Sequence, residues 1–122
     1  MNKLNVKRME GYYTHSEAME LCDNNWRIPT IFELIAIAKK HGNKSYLWSS
    51  SPFKGFSNLF FSVLHDEANV DYENEAQHVI LIEDKGVAFE YGADVCREET
   101  NAFESNLKLP AWHPEFEIGE ME

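Results

Sequence analysis

One segment constrains the fold of this chain more than any other. It is Trp26-Arg27-Ile28-Pro29-Thr30, followed by Glu33-Leu34, with Leu47-Trp48-Ser49-Ser50-Ser51 a short way downstream. Pro29 has a fixed φ and no amide donor, so Arg27 and Ile28 ahead of it are driven towards extended geometry. Thr30 then stands where an N-cap belongs, with Glu33 three residues later able to reach back to the Thr30 amide, the arrangement of a capping box. Ile31, Leu34, Ile35 and Ala38 repeat at helical spacing. Lys39, Lys40 and His41 bring cations to the carbonyl end, and Gly42 suits the residue that closes it. The spacing predicts a helix over residues 31–41.

A second capping box, Thr14 with Glu17, opens a shorter helix with Ala18, Leu21 and Cys22 on one face, ended by Asp23-Asn24-Asn25. Strands are expected from Val6 to Tyr12, Tyr46 to Ser50, Leu59 to Leu64 and His78 to Glu83, the last two rich in β-branched or aromatic residues. Asp84-Lys85-Gly86 reads as a tight turn into a further strand from Val87 to Tyr91. Residues 65–77 are acidic, lack an apolar run and read as a loop. Beyond Gly92 the pattern weakens, with Phe103, Leu107, Leu109, Trp112 and Phe116 as apolar anchors.

The order of two helices, Trp-Arg-Ile-Pro-Thr-x-x-Glu-Leu at a helix start, and Trp-Ser-Ser-Ser entering a strand resembles a bacterial and phage family. That family is the C-type-lectin-like domain formerly labelled DUF1566, also called the Lcl C-terminal domain. The resemblance covers roughly residues 12–83. It implies an α+β fold with two helices packed on a small antiparallel sheet, used as a binding scaffold. It also implies structural roles for Trp26, Arg27, Pro29, Thr30, Glu33 and Trp48, with both tryptophans filling the core and Arg27 bridging to a carboxylate or carbonyl. The expected organisation is a single domain over 1–122, with a lectin-like core over residues 6–91 and an acidic C-terminal elaboration over 92–122.

The chain departs from the wider fold where ligand chemistry would sit. It has no Glu-Pro-Asn, Gln-Pro-Asp or Trp-Asn-Asp triplet for calcium and sugar. The alternation Asp71-Tyr72-Glu73-Asn74-Glu75 fails as an EF-hand loop, which needs Gly at its sixth position and Glu at its twelfth, where this chain has Ala76 and Ile82. Formylglycine-generating chemistry needs paired late cysteines, which are missing. Lectin-like domains often bridge an early helix to a late strand, as Cys22 and Cys96 would; the reading adopted is two reduced thiols without CxxC context.

Hydrophobic residues make up 43% of the chain and aromatics 13%, which places it among globular domains. No apolar run approaches the ~20 residues that span a bilayer, and no apolar segment follows the charged Met1–Arg8 stretch, so a cytoplasmic location is expected. The five histidines show no HxH or HExxH spacing, the serine run lacks a G-x-S-x-G elbow, and no glycine-rich phosphate loop exists. No enzyme, metal or cofactor is expected.

Charge is the strongest functional signal. Residues 1–64 carry a net charge of +3 and residues 65–122 a net of −13. Such a field repels nucleic acid and attracts basic protein surfaces. The residues expected to meet a partner are Asp66, Glu67, Asp71, Tyr72, Glu73, Glu75, Glu98, Glu99 and Trp112, with aromatics as anchors among the carboxylates. The expected function is non-catalytic binding to a basic, nucleic-acid-handling protein by charge mimicry, as a phage or mobile-element inhibitor or accessory factor. The alternative is a lectin-like recognition module for a surface or carbohydrate ligand. A third reading is that the acidity serves solubility alone.

Overall fold

The computed structural model describes residues 2–23, 25–53, 58–83 and 115–122. The elements run β1 (Asn2–Arg8), α1 (His15–Glu20), β2 (Trp26–Arg27), α2 (Ile31–His41), β3 (Leu47–Pro52), β4 (Leu59–Leu64), β5 (Glu67–Tyr72), β6 (Ile80–Glu83) and β7 (Phe116–Met121). They form a small α+β domain with two helices and two sheets. One sheet has the order β2-β6-β1-β7 and the other the order β3-β4-β5. Among the described strands all pairings are antiparallel except β1 with β7, which run parallel. The sheets meet where Leu47 and His78 bridge, with Trp48 N donating to His78 O and His78 N to Tyr46 O, both at 3.1 Å.

Both capping boxes form. Thr14 and Thr30 share φ −67° and ψ 165°, and in each helix the cap and the glutamate three residues later exchange hydrogen bonds. At α2 the two sequence motifs meet. Ser51 Oγ accepts from the Ile31 amide at 3.1 Å, Glu33 N donates to Thr30 Oγ1 at 3.2 Å, and Ser50 N donates to Pro29 O at 2.9 Å. The serines of β3 therefore satisfy donors and acceptors that a helix start leaves open. Glu33 also receives Arg27 in a bidentate pair, both contacts 2.7 Å. Arg27 thus contacts a carboxylate of the very capping box it precedes.

The main core lies between α2 and both sheets. Ile31, Leu34, Ile35, Ile37 and Ala38 pack with Leu4 and Val6, Leu47, Phe61 and Val63, Ile80 and Ile82, and Ile118. A second cluster beneath α1 holds Ala18, Ile28, Trp48, Val79 and Leu81. Successive residues of β6 thus serve opposite cores, which is why Val79-Ile80-Leu81-Ile82 reads as an unbroken apolar run. Trp48 is fully buried. Trp26 is not: it packs partly against the second cluster, with Lys7 Nζ 4.1 Å from its ring centroid. A two-residue edge strand cannot cover an indole on both faces.

Besides Trp26, and the division of the expected single antiparallel sheet into two, three expectations about the elements change. The stretch 65–77, expected to be a loop, contains β5, paired with β4 along its whole length. The first strand lies earlier than expected, because Gly11 at φ 92° turns the chain before Tyr12. The weakly patterned end forms β7, which adds a parallel edge to the first strand. Lys40 Nζ donates to Ile118 O at 2.6 Å and His41 Nε2 to Gly119 O at 2.8 Å, fastening β7 to the end of α2. Gly119 sits so close to β1 that a Cβ there would lie 2.5 Å from Asn5 Oδ1 and 3.2 Å from Leu4 O. The hairpin expected over residues 84–91 lies outside the described residues.

Candidate functional site

β4 and β5 form a hairpin closed by His65 and Asp66 between the partners Leu64 and Glu67. A two-residue turn of this kind needs a positive φ at its first position, and His65 supplies it at 56°. A histidine is tolerated there because it is held from both sides. Its Nδ1 donates to Asn43 O at 3.1 Å, and Asn43 Nδ2 donates back to His65 O at 3.5 Å. Along β5, Ala68 and Val70 pack against the main core, so Glu67, Asn69 and Asp71 share the other face. Asp71 accepts a hydrogen bond from Ser62 Oγ at 2.5 Å. Asp66, Glu67, Glu73 and Glu75 are exposed, and Tyr72 is 56% exposed.

Past Tyr72 the chain crosses the start of α1. His15 N donates to Glu73 O at 2.9 Å, and Tyr13 and Gln77 exchange backbone hydrogen bonds of 2.8 and 2.9 Å. Glu17 lies on α1 and Glu10 a little ahead of it, both exposed. Glu17 stays below its ordinary carboxyl value because the Thr14 amide and hydroxyl bond its charged form. Beside them Tyr12, 68% exposed, stacks at a tilt on His78 with ring centroids 4.2 Å apart. No lysine or arginine occurs from Leu59 to Glu83. Of the basic residues, Lys39 and Lys40 lie in the last turn of α2, and Lys44 follows Asn43, which contacts His65 of the hairpin turn.

The structure therefore brings Asp66, Glu67, Asp71, Tyr72, Glu73 and Glu75 together on one hairpin and its continuation. Glu98, Glu99 and Trp112 lie outside the described residues. Glu115, Glu117, Glu120 and Glu122 sit on or beside β7, at the edge of the other sheet. Sequence reasoning missed that the start of α1 docks on the acidic stretch at Glu73, because it split the charge by chain position. The capping box at Thr14 was the available signal, since it fixes where α1 begins. Among the described residues no group of three or more His, Cys, Asp or Glu is placed to hold a metal ion, and no helix is long and apolar enough to cross a membrane. Cys22 is a half-buried free thiol, its ionisation pushed up by burial; Cys96 lies outside the described residues.

Behind this surface His15 is 5% exposed. Its ring stacks on Phe60 at 3.5 Å and meets Trp48 edge-on, while Nε2 donates to Ser49 O at 2.9 Å. Burial pushes the imidazole below its ordinary 6.5, against the Ser49 carbonyl and the Glu73 charge, which both act to raise it. The unfolded chain thus binds the proton more readily than the folded one. The stability this contributes is complete above pH 6.5 and is lost as pH falls through the lowered folded value. The urea midpoint is expected to drop between about pH 7 and pH 5, and to drop less in His15→Phe. An equal drop in both proteins would assign the effect to another group.

Compared with family models, with curated proteins and with solved structures, the chain gives no match. Fold and surface together define a small two-helix, two-sheet domain carrying a carboxylate-lined strand edge.

Proposed function

We propose that this chain is a non-catalytic protein-binding module. Its acidic hairpin docks on the basic surface of a nucleic-acid-handling protein, in the manner of a phage or mobile-element inhibitor or accessory factor. The observation that carries the reading is the grouping of Asp66, Glu67, Asp71, Glu73 and Glu75 on one hairpin and its continuation, in a stretch without a lysine or arginine. The scaffold reading is C-type-lectin-like. It is supported by the two capped helices and by the contact between the Pro-Thr helix start and the Trp-Ser-Ser-Ser strand.

Carboxylates opposite a cationic surface accelerate encounter and select partners by sign. Affinity capture from host cells, followed by titration of the captured partner, tests this. Binding is expected to weaken steeply as the Debye length shrinks from about 10 Å at 0.1 M salt to about 3 Å at 1 M. Reversing Asp71, Glu73 and Glu75 to Lys is expected to cost more affinity than reversing Lys39 and Lys40. A salt-independent affinity, or the opposite order of costs, would remove the reading.

A second reading, recognition of a carbohydrate, is favoured by the exposed Tyr12–His78 ring pair, a surface on which a sugar face stacks. Saturable glycan binding abolished by Tyr12→Ala would establish it.

A further inference from the structure

The edge of β5 has a consequence for how a partner binds. Glu73 N donates to Asn58 O at 2.8 Å, which makes Asn58 and Glu73 a directly bonded pair and sets the phase of the antiparallel ladder. Alternation then assigns the bonded pairs to Phe60 with Asp71, Ser62 with Asn69, and Leu64 with Glu67. The amides and carbonyls of Ala68 and Val70 consequently point away from β4, at the margin of the three-stranded sheet. Among the described residues neither has a hydrogen-bond partner on that side. The Tyr72 carbonyl on the same margin is taken by Glu75 N at 3.0 Å.

An open strand edge is a template for another strand. The side chains beside it decide which. On one face stand Glu67, Asn69 and Asp71, about 7 Å apart along the strand; on the other, Ala68 and Val70 continue the apolar core. A second copy of this chain is a poor occupant. Antiparallel self-pairing through the outward groups of Ala68 and Val70 would set Glu67 opposite Asp71 of the other copy, and like charges directly opposed destabilise a sheet. A strand with lysine or arginine at alternate positions and aliphatic residues between them meets both faces.

We infer that the β5 edge receives an extended basic segment of the partner as an added strand, paired to the backbone of Ala68 and Val70 and neutralised by Glu67 and Asp71. This rests on the acidic-hairpin reading and supplies its binding mode. The test titrates the full chain with short fluorescent peptides: one alternating lysine and valine, the same peptide N-methylated at alternate residues, and one alternating glutamate and valine. The lysine peptide is expected to bind. N-methylation keeps the charge and removes the amides that face the edge, so it is expected to weaken binding by about tenfold or more, as loss of a few peptide hydrogen bonds would. The glutamate peptide is expected not to bind. Val70→Pro, which removes an outward amide without touching the β4 ladder, is expected to reproduce the N-methyl loss. Equal binding of the methylated and unmethylated peptides overturns strand addition and leaves the acidic-surface reading standing. Binding of the glutamate peptide as tight as the lysine peptide, or no binding of either, overturns the inference; the partner titration under salt then decides the parent reading separately.

Discussion

Replacing Trp48 with alanine is expected to destabilise the fold by about 3–5 kcal/mol, the range for removing a buried large aromatic. The side chain is fully enclosed and packs with Ala18, Ile28, Val79 and Leu81. It also meets His15 and Phe60 edge-on, and its Nε1 donates to Tyr13 O at 2.8 Å. That last bond matters for the surface as well as the core, because Tyr13 is the residue that pairs with Gln77 beside the acidic segment. Since domains of this size are stable by only about 5–15 kcal/mol, the loss is a large part of the total. Urea unfolding followed by far-UV circular dichroism measures it. A loss below about 1 kcal/mol would refute the central packing of the ring.

The second large effect is expected at Glu33. Its side chain is 2% exposed and serves three donors: Arg27 Nη1 and the Thr30 amide on Oε1, and Arg27 Nη2 on Oε2. Glu33→Ala removes the capping carboxylate together with both hydrogen bonds it accepts from a guanidinium that is only 17% exposed. Breaking one side of a buried pair costs about 3–5 kcal/mol, and the partial exposure of Arg27 sets the expectation near the lower figure. Arg27→Met combined with Glu33→Ala is expected to cost less than the two single losses added, because both members of one bidentate pair are removed together. Strict additivity in the unfolding free energies would show that the pair is not coupled.

What was legible in the sequence was whatever two residues at fixed short spacing enforce by themselves. Thr30 with Glu33 and Thr14 with Glu17 name their helix starts because the bonds they make are local. The bounds of α2 and β4 were readable for a related reason, since dense apolar patterning leaves little choice of period. β5 was hidden by its composition. Glu67, Asn69 and Asp71 are poor strand formers, and the apolar signal shrinks to Ala68 and Val70 at alternate positions, with the remaining order supplied by pairing to β4. The two-residue spacing between Leu64 and Glu67 was the clue available. β7 was hidden because Gly119 breaks a short alternation and its partner, β1, stands at the other end of the chain. Charge was legible as an amount but not as a place. The stretch that follows the hairpin is placed by α1 docking beside Glu73, and the carboxylates of β7 belong to a different sheet.

The parallel pairing of β1 with β7 sets Leu4 against Ile118. Residues 5–117 lie between them along the chain, so one margin of β1 is completed only by a strand remote in sequence. Contacts so remote along the chain slow folding, because the loop between them must be closed before they are rewarded. The β1–β7 margin is therefore expected to close late in folding, and a change at Ile118 or Gly119 reaches a strand more than a hundred positions away.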